Sequence, residues 1–459
     1  MKNCPCVHTR RDFLRTTLLG GALTLTVPTF LADTFSSLHA AAALDSATQV
    51  ATGKDSPILV VLQLAGGNDG LNTLVPYAND FYFQARPQIG LKGDAVIPLT
   101  DQIGLHGGLT GFKSLYDEGH LAIVQGVGYP NPNRSHFRST EIWETASASD
   151  RNEKYGWLGR YFDNACAGAD PTVGVNIGSE TPQAFWSPVP MGITLKNPGN
   201  YRFVSGERPG MGGGDLTEAY YKELNETDSG FGHGADDAAG ASIGTVSSGN
   251  NAMAPGVGGA SGNNSPLSFI ERTALDAQVS SDKILAISKA GQNLATYPNS
   301  GLANDLKLVS RLISGGLTTR VYFVSQGGYD THTNQVNAQN KNLKDLGDAM
   351  VAFCSDLKAQ GNFDRVTVMT FSEFGRRVGE NASGGTDHGT ASPQFVFGGR
   401  VKGGLTGTYP SLDPAQLDNG DLIHTVDFRS VYAGLLENWL KTPSEQILQG
   451  KFDPFPLLA

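Results

Sequence analysis

Cysteine is scarce in this sequence. Its 459 residues include 4 cysteines, and Cys4 and Cys6 lie close to the N-terminus. The other two, Cys166 and Cys354, form one disulfide if the compartment is oxidising or stay as two buried thiols, and the sequence leaves both open. So few thiols exclude a structural zinc site made of cysteine ligands.

Positive charge and long apolar runs are also lacking. The 34 Lys and Arg are outnumbered by 44 Asp and Glu, which gives a formal net charge of −10. A nucleic-acid-binding protein would show a basic face, so no nucleic-acid partner is expected. Beyond the N-terminal region no stretch is long and apolar enough to cross a bilayer. No Gly-x-Ser-x-Gly turn leads from a strand into a helix, which disfavours a Ser-His-Asp esterase.

The N-terminal region has the pattern of an export signal. Arg10 and Arg11 precede a modest apolar stretch, Leu18–Leu31, and an alanine-rich run at 40–43 follows. This order predicts a twin-arginine signal over residues 1–43, read by the Tat translocase, and a periplasmic, secreted or cell-surface location. A buried first helix is the alternative. It is disfavoured because the run ends in a cleavage-like site.

The remaining chain is predicted to be one domain with one unusual insertion. Residues 44–459 have an ordinary core composition, but residues 228–265 contain almost no large apolar side chain. Such a segment cannot bury enough surface to offset its ordering entropy. We therefore expect a flexible glycine-rich insertion within a single domain.

Predicted strands and helices alternate along the domain. A continuous apolar run such as Ile58–Leu64 is typical of a strand that is buried on both faces. The alternation predicts a three-layer α/β/α sandwich with a mostly parallel central sheet. Further strands are predicted within 121–128, 321–332, 365–375 and 393–399, and helices within 109–119, 135–146, 267–289, 302–313, 334–361 and 428–440.

Acids and histidines follow or precede these strands at one edge of the predicted sheet. Singly, each has an ordinary explanation, as a turn residue or a structural histidine. Together they are the ligands that divalent ions take, and so many carboxylates in one crevice would repel one another without a cation. We therefore predict a site for one or two divalent ions, Zn, Mn or Ca. The predicted ligands are Asp69, Asp330, His332, Glu373, Asp387 and His388.

Six segments, taken in order, resemble a known family. They are the twin-arginine start, LAGGNDGLNTLVP, NRSHFRSTEIWETA, GYDTHTNQ, TFSEFGRR and GTDHGT. Together they resemble the exported proteins known as domain of unknown function 1501, over nearly the whole chain after the signal. That family is in turn distantly similar to the alkaline phosphatase and sulfatase superfamily. The resemblance implies an alkaline-phosphatase-like fold and a metal-dependent ester hydrolase.

The superfamily's functional residues can be transferred position by position. Its first-strand metal ligand matches Asp69, and its nucleophile at a helix start matches Ser135. An Asp and His pair matches Asp330 and His332. Its last metal-binding histidine matches His388, with Asp387 beside it.

The resemblance to the superfamily is incomplete at one pair of metal-binding positions. The superfamily's Asp-His pair after a buried strand falls on Glu373 and Phe374, and phenylalanine cannot bind a metal. Either the gap is filled, by His106, His136 or Asp387, or the protein holds one ion.

The sequence around Ser135 also departs from the superfamily. Ser-His-Phe-Arg is not the signature that sulfatase maturation requires, so a formylglycine sulfatase is not expected.

The resemblance predicts a hydrolase of phosphate or sulfate esters, small or polymeric. Ser135 would attack phosphorus or sulfur, and Arg134 or Arg138 would bind the nonbridging oxygens. The alternative for Ser135 is capping of its helix, and His136 is a ligand, a base or a stacking residue. Arg376 and Arg377 are interpreted as solvated charges. A metal-stabilised binding protein without catalytic activity is the competing interpretation.

Overall fold

The computed structural model describes residues 56–167, 169–188, 192–200 and 281–458. The predicted signal at 1–43, the glycine-rich segment at 228–265 and most of the helix predicted at 267–289 lie outside these residues. Residues 281–290 are helical. Within the part of the chain that the structure describes, no helix has the length and apolar character needed to cross a membrane.

Strands and helices alternate as the sequence pattern indicates. The strands are β1 (Ile58–Leu64), β2 (Leu74–Val75), β3 (Val96–Pro98), β4 (Gly104–His106), β5 (Leu121–Gly128), β6 (Gly174–Ile177), β7 (Ile193–Leu195), β8 (Val321–Gln326), β9 (Val366–Phe371), β10 (Ser392–Gly398), β11 (Gly404–Thr406) and β12 (Val426–Asp427). The α-helices are α1 (Asp80–Ala85), α2 (Thr110–Asp117), α3 (His136–Thr145), α4 (Trp157–Ala165), α5 (Gly301–Ser314), α6 (Gln335–Ala359), α7 (Phe428–Gly434) and α8 (Ser444–Leu448).

One large sheet organises the described residues. It runs in the order β11, β5, β10, β9, β1, β8, β6, β7, with β12 paired to β5. All of its pairings are parallel except those of β10, which is antiparallel to both β5 and β9. The predicted mostly parallel central sheet is confirmed. A small antiparallel sheet of β2, β4 and β3 lies apart from it.

Helices cover both faces of this sheet. Along β1, Ile58 and Val60 belong to one buried cluster and Leu59 and Val61 to another, because successive side chains of a strand point to opposite faces. The first cluster includes side chains of α2, α5 and α6. The second includes side chains of α3, α4, α7 and α8. The predicted three-layer α/β/α sandwich is therefore confirmed.

The two cysteines beyond the N-terminal region are separate buried thiols. Cys166 belongs to the cluster on one face of the sheet and Cys354 to the cluster on the other. Burial raises the pKa of Cys166 to about 11 and that of Cys354 to about 12. Neither thiol is therefore reactive at neutral pH.

The antiparallel strand β10 determines where the site lies. Because β10 runs back from β9, the loop between them, residues 372–391, stays at the edge where β9 ends. Ser392 at the start of β10 pairs with Val127 at the end of β5. The loops after β5, β8 and β9 therefore meet at one edge of the sheet, where ligands of open α/β sheets bind.

Candidate metal site

His388 is fixed by the backbone that precedes α3. Its Nδ1 lies 2.8 Å from the carbonyl oxygen of Arg134. A carbonyl oxygen only accepts, so Nδ1 donates and the neutral ring presents its unprotonated Nε2. Burial, the largest influence, lowers the pKa of His388, which favours that neutral form. The free Nε2 lies 3.3 Å from Asp330 Oδ1 and 2.9 Å from His332 Nε2.

His332 is oriented in the same way by a carboxylate. Its Nδ1 lies 3.1 Å from Asp387 Oδ1, which also accepts from Asn381. The hydrogen bonds from Asn381 and His332 lower the pKa of Asp387, so this carboxylate is ionised and accepts. The Nε2 of His332 then faces Asp330 Oδ1 at 3.1 Å.

His136 repeats the arrangement at the start of α3. Its Nδ1 lies 2.9 Å from Oε1 of the buried Glu373, and the backbone N–H of Gly66 donates to the same oxygen at 2.8 Å. Its Nε2 lies 3.5 Å from Asp330 Oδ2. Three histidines therefore each bind an oxygen acceptor through Nδ1 and direct Nε2 towards Asp330.

This donor set fits a divalent metal ion. His136, Asp330 and His388 each offer a ligand atom within 4.8 Å of the others, and His332 Nε2 adjoins two of them. Ligand atoms about 2.0–2.2 Å from a tetrahedral zinc ion lie roughly 3.3–3.6 Å apart. Binding through Nε2 with Nδ1 held by an oxygen is the usual arrangement of metal-binding histidines.

Asp330 is held in place by a buried arginine. The guanidinium of Arg376 donates to Asp330 Oδ1 at 2.8 Å and to the carbonyl oxygens of Gly66, Gly67, Tyr329 and Thr386. Partial burial acts to raise the pKa of Asp330, but the hydrogen bond and the positive charge of Arg376 outweigh it, and the pKa is lowered to about 2. Arg376 is only 1% exposed, so its interpretation as a solvated charge is wrong.

Phe374 forms a wall of the site. Its ring centroid lies 4.9 Å from that of His136 and 4.5 Å from that of His388. On its other side it meets the glycine-rich turn, because a Cβ on Gly67 would lie 2.3 Å from the Phe374 ring. Gly67 also has a φ of +78°, which favours glycine. Phe374 thus packs against two of the histidines and offers no metal ligand.

Asp69 forms an ion pair with Arg86. Its Oδ2 lies 2.6 Å from Nη1 of Arg86, and both side chains are almost completely buried. Gln335 donates to the same oxygen, and the N–H of Leu71 donates to Oδ1. The structure does not bring Asp69 to the three histidines. Its ligand role stays a prediction, and the ion pair with Arg86 does not favour it.

Ser135 lies at the exposed start of α3. Its side chain makes no capping hydrogen bond, and its own N–H donates to Asn133 Oδ1 at 2.8 Å. The alternative of a capping hydroxyl is therefore not what the structure shows. Ser135 stands between Arg134, whose carbonyl holds His388, and His136 of the metal site. Its role as a nucleophile stays a prediction.

The arginines predicted to bind the ester oxygens, Arg134 and Arg138, differ in their surroundings. Arg138 donates to the carbonyl oxygens of Ala148, Ser149 and Arg151 and pairs with Glu141 at 2.8 Å, so its guanidinium is occupied by the loop after α3. The structure does not bring Arg138 to the histidines. Arg134 and Arg377 instead share the buried Asp421, while their side chains stay 42% and 40% exposed.

His106, one candidate to complete the ligand set, is not part of the site. It is buried, and its Nδ1 accepts from the N–H of Gly108 at 2.9 Å. Burial lowers the pKa of His106 to about 4. The structure brings His136, another of the candidates, to Asp330, and it places Glu373 and Asp387 on the outer nitrogens of two histidines.

Comparison with known protein families gives a match to part of the chain. Residues 273–436 match the family described as "Protein of unknown function (DUF1501)". This range includes Asp330, His332, Glu373, Asp387 and His388, and the match confirms the resemblance there. No curated protein matches the sequence.

Several solved structures are similar over most of the chain. The lipoteichoic acid synthase LtaP from Listeria monocytogenes has 7% identity, covers 92% of this chain and 81% of its own, and has a TM-score of 0.35. The alkaline phosphatase from the Antarctic bacterium TAB5 has 11% identity, coverages of 75% and 92% and a TM-score of 0.31. The PsFucS1 sulfatase from Pseudoalteromonas sp. has 11% identity, coverages of 88% and 73% and a TM-score of 0.33. Because all three TM-scores are below 0.5, these similarities do not assign an activity to this chain.

Proposed function

We propose that this protein is a metal-dependent hydrolase of phosphate or sulfate esters. The single observation that supports it most is the arrangement of the three histidines. Each has Nδ1 on an oxygen acceptor and Nε2 directed towards Asp330. This arrangement directs three imidazole Nε2 atoms to one point, as in metal sites made of histidines.

The donor set favours one ion of the zinc or manganese type. Three imidazole nitrogens and one carboxylate suit Zn²⁺ or Mn²⁺, whereas Ca²⁺ takes six to eight oxygen ligands. Glu373 and Asp387 bind histidine Nδ1 atoms, so they orient the ligands. When bound, such an ion stabilises negative charge that develops on the ester oxygens.

Ser135 is the proposed nucleophile. Its exposed hydroxyl is free of a capping bond, and its neighbour His136 belongs to the site. In the first step Ser135 Oγ bonds to phosphorus or sulfur, the bond to the alcohol oxygen breaks, and the hydroxyl proton passes to the departing alcohol. In the second step water attacks the serine ester, which restores the hydroxyl and releases phosphate or sulfate.

Two arginines beside this segment are proposed to attract the anionic group. Arg134 and Arg377 carry two positive charges against the single carboxylate of Asp421, and both side chains reach solvent. The N–H of Arg377 also donates to the carbonyl of Asp387, which places this arginine beside the His388 loop. The excess positive charge favours a phosphate or sulfate at this end of the sheet.

A second candidate function rests on Phe374. Its ring packs against His136 and His388 at the place where the superfamily pattern has a ligand. A protein with one ion and no second metal site could use the ion for stability and ligand binding alone. In that case Ser135 has no chemical role.

Metal analysis and turnover separate the two candidates. Natively purified protein is analysed for bound metals and assayed on phosphate and sulfate esters. Ser135→Ala is compared with Ser114→Ala, an exposed serine in the middle of α2. We expect about one equivalent of zinc or manganese, and turnover that Ser135→Ala abolishes while Ser114→Ala retains it. Metal without turnover would support the binding protein, and no metal in folded protein would overturn both.

We also propose that the protein is exported by the twin-arginine route. The support is the order of Arg10, Arg11, the apolar stretch and the alanine-rich run. Cell fractionation of the parent and of a variant with Arg10→Lys and Arg11→Lys tests it. We expect the parent outside the cytoplasm and the variant retained within it. Equal export of both would exclude this route.

A further inference from the structure

A cleft adjoins His136 and His388 through a shared wall. It has a volume of about 350 Å³, and one of its walls is Phe374, whose ring contacts His136 and His388. The loop after β5 and residues 417–424 form the facing sides. This volume is at the small end of the range for small-molecule sites, about 300–1,000 Å³, and suits a single ring.

The cleft has an apolar interior and a few polar groups. Its lining includes Tyr129, Pro132, Phe374, Leu422 and Ile423. Tyr129, Phe374 and Leu422 are almost completely buried, so Pro132 and Ile423 supply the accessible apolar surface. Ile423 is 52% exposed although it is a large apolar residue, so this surface is open to solvent. The polar groups are Asn131, Thr390, Asp418 and His424. A few polar groups on an apolar wall are typical of sites that orient an organic ligand.

His424 has hydrogen-bonding capacity available in this cleft. Among the residues that the structure describes, its imidazole has no hydrogen-bond partner. Partial burial, the largest influence, lowers the pKa of His424, so the ring is neutral at pH 7 and offers one donor and one acceptor. A neutral hydroxyl or ether of a ligand fits such a group. Asp418 adds a negative charge, which disfavours a second anionic group there.

The cleft is tied to the metal site by the buried Asp421. This carboxylate binds Arg134 and Arg377, whose segments contact His388 and Asp387 through the backbone. Residues 417–424 are therefore held beside the proposed reaction centre.

We propose that this cleft binds the alcohol part of the ester, and that the alcohol is uncharged and has one flat apolar face. The proposal rests on the proposed hydrolase function. It assigns the phosphate or sulfate to the side of Arg134 and Arg377 and the ring to Pro132 and Ile423. Specificity is then set by residues 417–424 and not by the metal ligands.

Ligand-observed NMR with benzyl alcohol tests the cleft without turnover. Saturation is transferred from the full-length protein to benzyl alcohol or to benzoate, its anionic counterpart. Ile423→Asp places a charge in the cleft at a half-exposed position, and Leu294→Asp, at a residue 55% exposed elsewhere, is the matched control. We expect transfer to benzyl alcohol in the parent and in Leu294→Asp, at least fivefold less in Ile423→Asp, and little to benzoate. No transfer to benzyl alcohol, or equal transfer in all three proteins, would overturn the proposal.

Kinetics then separate this proposal from the hydrolase function. The ratio of kcat/KM for phenyl phosphate to that for methyl phosphate is measured in the three proteins, with the corresponding sulfates in parallel. We expect Ile423→Asp to lower the ratio about tenfold and Leu294→Asp to leave it as in the parent, because only the aryl group occupies the cleft. Turnover with an unchanged ratio would contradict the cleft and leave the hydrolase intact. Binding of benzyl alcohol without turnover of any ester would contradict the hydrolase and leave the cleft as a ligand site.

Discussion

The Nε2 atoms of His332 and His388 lie 2.9 Å apart. Both rings use Nδ1 as a donor, towards Asp387 and the carbonyl of Arg134, so in their neutral forms both Nε2 atoms carry a lone pair. Two lone pairs at this distance repel unless a proton or a cation lies between them. Asp330, 3.1 Å and 3.3 Å away, adds negative charge at the same point. The pair is therefore a place where a cation is strongly favoured.

Removal of either ring should remove the metal. We expect His332→Ala and His388→Ala to bind zinc more than about 100-fold more weakly than the parent, since a lost ligand costs more than a lost outer contact. Calorimetric zinc titration of the metal-stripped proteins measures this. His120→Ala, whose ring packs edge-on against Phe363, is the control and should bind like the parent. Parent-like affinity in both histidine variants would contradict the assignment.

Glu373, which lies against His136 Nδ1, should also affect the affinity for the metal. Glu373→Gln keeps the shape of the side chain but removes the negative charge that orients His136 and makes its ring more basic. We expect zinc affinity to fall about 10- to 100-fold, the usual effect of changing such a partner. Glu118→Gln, which loses only an exposed ion pair with Lys358, is the matched control. Equal affinities in the two variants would show that Glu373 does not act through His136.

Variants of Asp69 and Arg86 test whether Asp69 is a metal ligand or a member of a structural ion pair. Because Arg86 and Asp69 are both buried, Arg86→Met leaves the Asp69 carboxylate without its cation and should lower the free energy of unfolding by about 3–5 kcal/mol. The double variant Arg86→Met/Asp69→Asn should recover part of that loss. Denaturant unfolding measures both. Asp69→Asn should keep the full metal content, and loss of the metal would restore the ligand role predicted from the sequence.

Glu144 should make stability depend on pH. Burial, helped by the charge of Glu373, raises the pKa of Glu144 from 4.5 to about 7, against a hydrogen bond from the N–H of Ala184. The folded state then holds a proton more tightly than the unfolded chain. Its stabilising effect is complete below about pH 4.5 and is lost as pH rises through 7.

Glu144→Gln should therefore be more stable than the parent at pH 9, by up to about 3 kcal/mol, and close to it at pH 4. Denaturant unfolding of the parent and the variant across this range isolates the effect of Glu144. The exposed substitution Glu118→Gln controls for the loss of a negative charge. A constant difference between parent and variant at all pH values would show that Glu144 does not titrate in this range.

The central strands could be predicted because their signal is local. The apolar run Ile58–Leu64 and the run at 121–128 coincide with β1 and β5. The short strands β6 (Gly174–Ile177) and β7 (Ile193–Leu195) have only four and three residues, and their pairing is decided by tertiary contacts. Helix α4, which buries Trp157 and Phe162, is likewise absent from the elements predicted from the sequence.

The site could be predicted only in part. Asp330, His332 and His388 lie close together as expected, because the ends of these strands share one edge of the sheet. Which nitrogen faces which oxygen depends on loop conformation, so the roles of Glu373 and Asp387 on the outer nitrogens could not be read from the sequence. The burial of Arg376 could not be predicted for the same reason. The four carbonyl oxygens that it binds converge only in the folded chain.

The bond between His388 and the carbonyl of Arg134 joins positions 254 residues apart. A nascent chain therefore has a complete ligand set only after His388 has been synthesised, and metal loading must follow synthesis of most of the chain. If the protein leaves the cytoplasm already folded, as the proposed twin-arginine route requires, the site is complete before export. The proposed site then meets the cytoplasmic metal pool first, and the metal supply inside the cell can decide which ion the exported protein carries.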